Sequence, residues 1–236
     1  GATTITSPHT FPLGETTVSC TATNGVEPDD SCSFKVTVTD DEAPVIDCPD
    51  DIVVNLPLNS NASGVAVNFN VTATDNADAT PTIQTSVASG SVFPVGTTTV
   101  TATATDDAGN QSQCTFNVTV LYNFTGFFSP VSNAPVVNEV KAGQGIPVKF
   151  SLSGNKGLNI FAAGYPASQQ VGCNDNLPVN VLEETNTAGN STLTYDASSD
   201  RYQYNWKTEK SWAGTCRVLV VKLADGTTHT AYFKFK

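Results

Sequence analysis

The sequence predicts an all-β protein made of tandem small β-sandwich modules, and three observations carry that prediction. Apolar residues alternate with threonine at a period of two over long runs, the signature of half-buried strands. One strand–turn–strand stretch occurs twice at a fixed offset, which marks repeated domains. Six cysteines, an even number, sit in a threonine-rich chain that is only 14% charged, a balance that suits an exported β-protein.

The repeated stretch is clearest at residues 93–120. Val100, Ala102 and Ala104 alternate with Thr101, Thr103 and Thr105. After a turn at Gly109-Asn110, Cys114, Phe116, Val118 and Val120 alternate with Thr115, Asn117 and Thr119. Threonine suits the solvent face, because its β-branched side chain fits the pleat while its hydroxyl stays wet. The same stretch occurs at residues 11–38. Phe11-Pro12-Leu13-Gly14 matches Phe93-Pro94-Val95-Gly96, and Cys32 matches Cys114, each pair 82 positions apart. That period fits a sandwich domain rather than a short solenoid unit.

Taken in order, residues 1–40 are a partial module, the C-terminal half of the repeat. Its missing half corresponds to residues 41–82 of the second copy. Half a sandwich exposes core and unpaired edges. The expectation is either a piece of a longer chain or a module completed by strands from another subunit. Residues 39–44 form a short acidic linker, Thr-Asp-Asp-Glu-Ala-Pro. Residues 41–120 are the complete module, with strand-like runs at Val45–Cys48, Ile52–Leu56, Val65–Val71, Thr82–Val87, Thr97–Thr105 and Gln113–Val120. Residues 121–236 are a separate, more aromatic β domain. Ile146–Leu152 alternates as a strand. Val218, Leu219, Val220, Val221 and Leu223 form an apolar run within Cys216–Leu223, which reads as a central strand buried on both faces. Asp225-Gly226 then turns the chain into a last strand, Thr228–Phe235.

Composition bounds the function. The length of 236 residues fits two domains or slightly more. A net charge of −11 excludes the basic footprint that nucleic-acid binding needs and disfavours an anionic membrane surface. There is no long apolar run, so no membrane insertion is expected. The two histidines, His9 and His229, are far apart, and no G-x-S-x-G, H-E-x-x-H or phosphate loop is present. No enzyme is expected, and no cofactor apart from a candidate calcium ion.

Several motifs in the right order make residues 41–120 similar to a hyalin repeat. They are Ala43-Pro44-Val45-Ile46-Asp47-Cys48-Pro49, Ala73-Thr74-Asp75-Asn76, Phe93-Pro94-Val95-Gly96-Thr97-Thr98-Thr99-Val100, Ala104-Thr105-Asp106-Asp107-Ala108-Gly109-Asn110 and Cys114-Thr115-Phe116. The resemblance implies an immunoglobulin-like β-sandwich and a role in adhesion or spacing. Residues 121–236 resemble the PxKF domain found at the ends of bacterial surface and secreted proteins. That likeness rests on Pro147-Val148-Lys149-Phe150, Gly157-Leu158-Asn159-Ile160, Tyr195-Asp196, Tyr202-Gln203-Tyr204-Asn205-Trp206-Lys207-Thr208 and Trp212-Ala213-Gly214-Thr215-Cys216-Arg217. It implies a second β-sandwich-like domain and brings no chemistry with it. The combined expectation is a bacterial extracellular or cell-surface stalk, adhesin or filament subunit. Its expected partner is a second copy or a neighbouring surface protein.

Three sets of residues are candidates for sites. Fifteen pairings of six cysteines are possible; the division by module favours Cys20–Cys32, Cys48–Cys114 and Cys173–Cys216. Asp40, Asp41 and Glu42 of the linker, with Asp106 and Asp107 from a domain end, are candidate calcium ligands. Calcium takes six to eight oxygens, and the linker loosely resembles those of cadherins. The competing reading is a solvated acidic linker. Asp75, Asn76 and Asp78 read as a polar loop. Tyr202, Tyr204 and Trp206 share one strand face, with Trp212 close behind. Such rings either stack a sugar, the alternative function, or fill a core.

Overall fold

The computed structural model of the chain describes residues 4–188 and 192–236, and almost every element in it is a strand. Two compact units are present. The first holds Gly1–Cys48, Val71–Ser86 and Thr101–Cys114; the second holds Pro49–Asn70, Val87–Val100 and Thr115–Lys236. The repeat region carries β1 (Gly14–Ala22), β2 (Asp30–Val38), β3 (Val45–Asp47), β4 (Ile52–Asn55), β5 (Gly64–Ala66), β6 (Thr72–Thr74), β7 (Thr82–Thr85), β8 (Val92–Pro94), β9 (Gly96–Thr105) and β10 (Gln111–Leu121). The remainder carries β11 (Phe127–Phe128), β12 (Val137–Val140), β13 (Gly145–Phe150), β14 (Ala167–Val171), β15 (Glu183–Glu184), β16 (Thr194–Asp196), β17 (Arg201–Lys207), β18 (Cys216–Lys222) and β19 (Thr228–Phe235).

In the first unit, β1 and β2 form a hairpin in register from Gly14 opposite Val38 to Ala22 opposite Asp30. β3 pairs antiparallel with β6, and β7 with the end of β9. Ala102 and Ala104 are fully buried, as the period-two pattern requires. The Cys48–Cys114 bond closes a separation of 66 residues.

In the second unit, β4 runs parallel to β10, with Ile52 opposite Val118, and β5 pairs antiparallel with β8. β9 and β10, which run through both units, are the middle strands of a sheet ordered β4-β10-β9-β7. Phe93, Val100, Phe116, Val118 and Val120 are buried, and the Phe69 ring packs edge-on against Phe93 and Phe116. The run Val65–Val71, expected as one strand, is divided. β5 stops at Ala66, and the N–H of Phe69 donates to Ser89 Oγ at 2.9 Å instead of joining a ladder.

Residues 121–236 fold as two sheets, ordered β11-β13-β17-β16 and β12-β19-β18-β14-β15, on either side of one core. Ile146, Val148 and Phe150 of β13 face Leu219 and Val221 of β18 and Ala231, Phe233 and Phe235 of β19. Each buried Val, Leu, Ile or Phe among them contributes roughly 1.5–3 kcal/mol of transfer free energy. Pro147 is tolerated in β13 because the outer neighbour β11 covers only Lys149 and Phe150. β18 is buried on both faces, as its apolar run Val218–Val221 predicts: Leu219 and Val221 enter the core, while Cys216 and Val218 pack with Val171 on the far side. Asp225 organises the β18–β19 turn by accepting the N–H and hydroxyl of Thr227 at 2.9 and 2.6 Å. Its other oxygen accepts the N–H of Tyr122 at 2.7 Å, tying the end of β10 to that turn.

Candidate functional site

Three strand ends in the first unit finish on Thr-Asp followed by an acid or amide: Thr39-Asp40-Asp41 after β2, Thr74-Asp75-Asn76 after β6 and Thr105-Asp106-Asp107 after β9. A strand that stops at threonine releases the aspartate into a turn, where its carboxylate accepts local N–H groups. Asp75 accepts the N–H groups of Ala77 and Asp78 at 2.9 and 2.8 Å. Asp106 accepts the N–H and side-chain amide of Asn110 at 2.8 and 2.9 Å. The same amide also donates to the carbonyl of Asp40 at 3.2 Å. As a result one carboxylate oxygen from each of Asp40, Asp75 and Asp106 lies within 4.8 Å of the other two.

Asp106 is nearly inaccessible, at 6% exposure. Burial raises its carboxyl, but the side-chain amide of Asn110 and the N–H groups of Asn110, Gly109 and Ala108 outweigh burial and hold it below the usual carboxylate range. Three converging carboxylates with oxygen spacing of this kind are the donor set a hard divalent cation takes. Of the five acids expected from the sequence, the fold brings Asp40 and Asp106 together. Glu42 instead accepts the amide of Asn76 at 2.5 Å, Asp107 gives its N–H to Asp78 at 3.2 Å, and Asp41 is outside the trio. Asp75, read as part of a loop, is the third member. Its signal was the parallel between Ala73-Thr74-Asp75-Asn76 and Ala104-Thr105-Asp106-Asp107.

The β1–β2 hairpin presents a second feature. Phe34 is 53% exposed, whereas its repeat counterpart Phe116 is 3% exposed. Val18, Val36 and Val38 are half-buried, whereas their counterparts Val100, Val118 and Val120 are at 0%. The same side chains on the same strands are core in one copy and surface in the other. Near one end of the hairpin, Cys20 stands directly opposite Cys32. Two of the three expected disulfides, Cys48–Cys114 and Cys173–Cys216, are formed; Cys20 and Cys32 are free thiols in contact with each other. That contact raises the Cys20 thiol, through its hydrogen bond to Cys32 first and burial second.

The aromatic set does not form the sugar platform expected as the alternative. Tyr202 and Trp206 are fully buried, Tyr204 is 6% exposed, and all three belong to the core. Trp212 is half-buried, packed edge-on against Phe235, and covered by the Arg217 guanidinium 4.1 Å above its ring. The Arg217 guanidinium occupies one face of that ring, and the other three rings of the set lie in the core. The period of two sends residues 202, 204 and 206 inward and puts Arg201, Gln203 and Asn205 on the other face of β17.

Residues 39–120 match the family model of the HYR domain, a span that includes the whole aspartate trio. The Sushi, von Willebrand factor type A, EGF and pentraxin domain-containing protein 1 of Mus musculus is 33% identical over 159 residues, covering 66% of this chain and 4% of that protein. Hyalin of Strongylocentrotus purpuratus is 36% identical over 117 residues, 47% of this chain and 9% of that protein. Hyalin of Lytechinus variegatus is 32% identical over 114 residues, 47% of this chain and 22% of that protein. The chain thus spans less than a quarter of the length of each of these relatives. Among solved structures, the Protocadherin GammaB4 extracellular domain aligns over 94% of this chain and 37% of its own, with a TM-score of 0.28 at 15% identity. Titin-A168169 aligns over 83% of this chain and 100% of its own, with a TM-score of 0.25 at 12% identity. Residues 39–120 carry the match to the HYR domain, a non-enzymatic structural module.

Proposed function

We propose that this chain is a segment of an extracellular adhesive or structural protein, and that the open face of its β1–β2 hairpin is an assembly surface. The contrast between Phe34 at 53% exposure and Phe116 at 3% carries this reading. In the complete copy the Phe69 ring packs on Phe116 at 4.9 Å, and β4 runs parallel along the β10 edge with Ile52 opposite Val118. The occupant is therefore a strand segment of HYR type, offering an apolar parallel strand to the β2 edge, which is β-strand addition. The Cys48–Cys114 and Cys173–Cys216 bonds support an oxidising compartment. Residues 121–236 serve as a second β domain of PxKF type, a reading supported by Pro147-Val148-Lys149-Phe150 on β13; the animal relatives lend no support to a bacterial source. The test is hydrogen exchange over residues 14–38 with and without excess peptide spanning residues 45–87. Slowed exchange that is lost in Phe34→Asp supports strand addition. Unchanged exchange at saturating peptide, with a monomer by light scattering, refutes it.

The aspartate trio favours a second reading, calcium stiffening of the link between modules. Asp40 lies in that link, and Asp75 and Asp106 belong to the complete module. An ion held by all three would neutralise their mutual repulsion and pin the linker to the module. Thermal melting with calcium and with chelator tests it. A midpoint raised by calcium in the native chain and not in Asp75→Asn is expected; identical midpoints refute it.

A further inference from the structure

With Tyr202, Tyr204 and Trp206 in the core, β17 turns Arg201, Gln203 and Asn205 to its outward face. Lys149 of β13, Gln203 of β17 and Thr194 of β16 lie in register as one row across three strands. Asp196 and Arg201 form the adjoining row, and Ser199 closes its end. These six residues line one hollow on the sheet. The hollow is polar because the period of two has already sent Phe150, Tyr195 and Tyr202 to the core side.

Its charges are uneven. The Asp196 carboxylate is already engaged, accepting the hydroxyls of Ser198 and Ser199 at 2.7 Å each and the N–H of Ser198 at 2.9 Å. Those hydroxyls, Ser199 first, push its carboxyl down to about 2, so it is an anion that needs no further cation. Lys149 and Arg201 are in no ion pair among the described residues. Arg201 is held in place, its guanidinium 4.1 Å over the Phe128 ring, and its Nε is buried with no hydrogen-bond partner. Gln203 spends its amide N–H on Asn205 at 3.0 Å, which leaves its carbonyl oxygen as an acceptor. In a chain of net charge −11, two unpaired cations share one hollow with a hydroxyl donor and an amide acceptor.

We propose that this hollow binds a saccharide unit bearing a carboxylate, with Lys149 and Arg201 on the acid group and Thr194 and Gln203 on ring hydroxyls. A neutral sugar would leave both cations unanswered, and a bare anion would leave the acceptor unused. Cations on an open sheet also imply binding that weakens with salt.

The experiment is calorimetric titration of the full chain with tetragalacturonate, with maltotetraose as the neutral control and sodium sulfate as the bare-anion control. The expected result is saturable binding of tetragalacturonate, at least tenfold weaker for maltotetraose and for sulfate. Lys149→Gln and Arg201→Gln should each weaken it at least tenfold without moving the melting midpoint. Lys149 does not pack in the core, so Lys149→Gln decides the matter if Arg201→Gln misfolds. Absence of binding, equal binding of either control, or unchanged binding by a folded Lys149→Gln overturns the proposal.

Discussion

Truncating one phenylalanine in each copy of the repeat measures directly whether the hairpin face is open. Phe116 is 3% exposed and its ring is packed against Phe69 at a centroid distance of 4.9 Å. Phe116→Ala should cost about 3–5 kcal/mol, the transfer term plus the cavity left behind. Phe34, at 53% exposure, has roughly half its surface to lose and no enclosed cavity to leave. Half of the ~2 kcal/mol for burying such a side chain gives about 1 kcal/mol for Phe34→Ala in the isolated chain. The two positions lie in different compact units, so one global transition is not assumed. Urea titration followed by hydrogen exchange resolves them, reading β10 amides for one variant and β1–β2 amides for the other. Added HYR-type strand peptide should raise the Phe34→Ala penalty toward that of Phe116→Ala. Equal penalties in the monomer would show that the hairpin face is already covered and would refute the reasoning.

Three further predictions follow from the same geometry. Reduction should destabilise both domains: the 66-residue and 43-residue separations of Cys48–Cys114 and Cys173–Cys216 each correspond to about 4 kcal/mol of loop entropy, read as a drop in the urea midpoint on adding reductant. Mild oxidation should close Cys20–Cys32 within the hairpin, since the residues are direct cross-strand partners; thiol titration should then find no reactive sulfur, and dimers linked through Cys32 would contradict it. Asp196, depressed to about 2 from an ordinary value of 3.8, contributes stability that is fully present above about pH 4 and lost as pH falls toward 2. Acid titration of Asp196→Asn should lack that component, and an acid transition identical to the native one would refute the assignment.

Much of this protein was legible in the one-dimensional pattern. Alternation at a period of two fixes which residues of β9, β10 and β13 face a core, because strand geometry is local. The two copies of Phe-Pro-x-Gly reveal a repeat without any structure. The apolar run Val218–Val221 marks β18 as interior on both faces. The failures share one cause. Whether a strand face meets another sheet is a long-range matter, so the pattern that buries Phe116 cannot say that Phe34 stays open. Tyr202, Tyr204 and Trp206 carry the same alternation whether they line a core or a sugar site; only the second sheet, arriving from β18 and β19, decided for the core. The acids show it most plainly. Nearness in sequence proposed Asp41, Glu42 and Asp107, yet a metal site needs oxygens convergent in space. Three strands of three different sheets, β2, β6 and β9, lead into Asp40, Asp75 and Asp106, and only the tertiary packing brings those ends together.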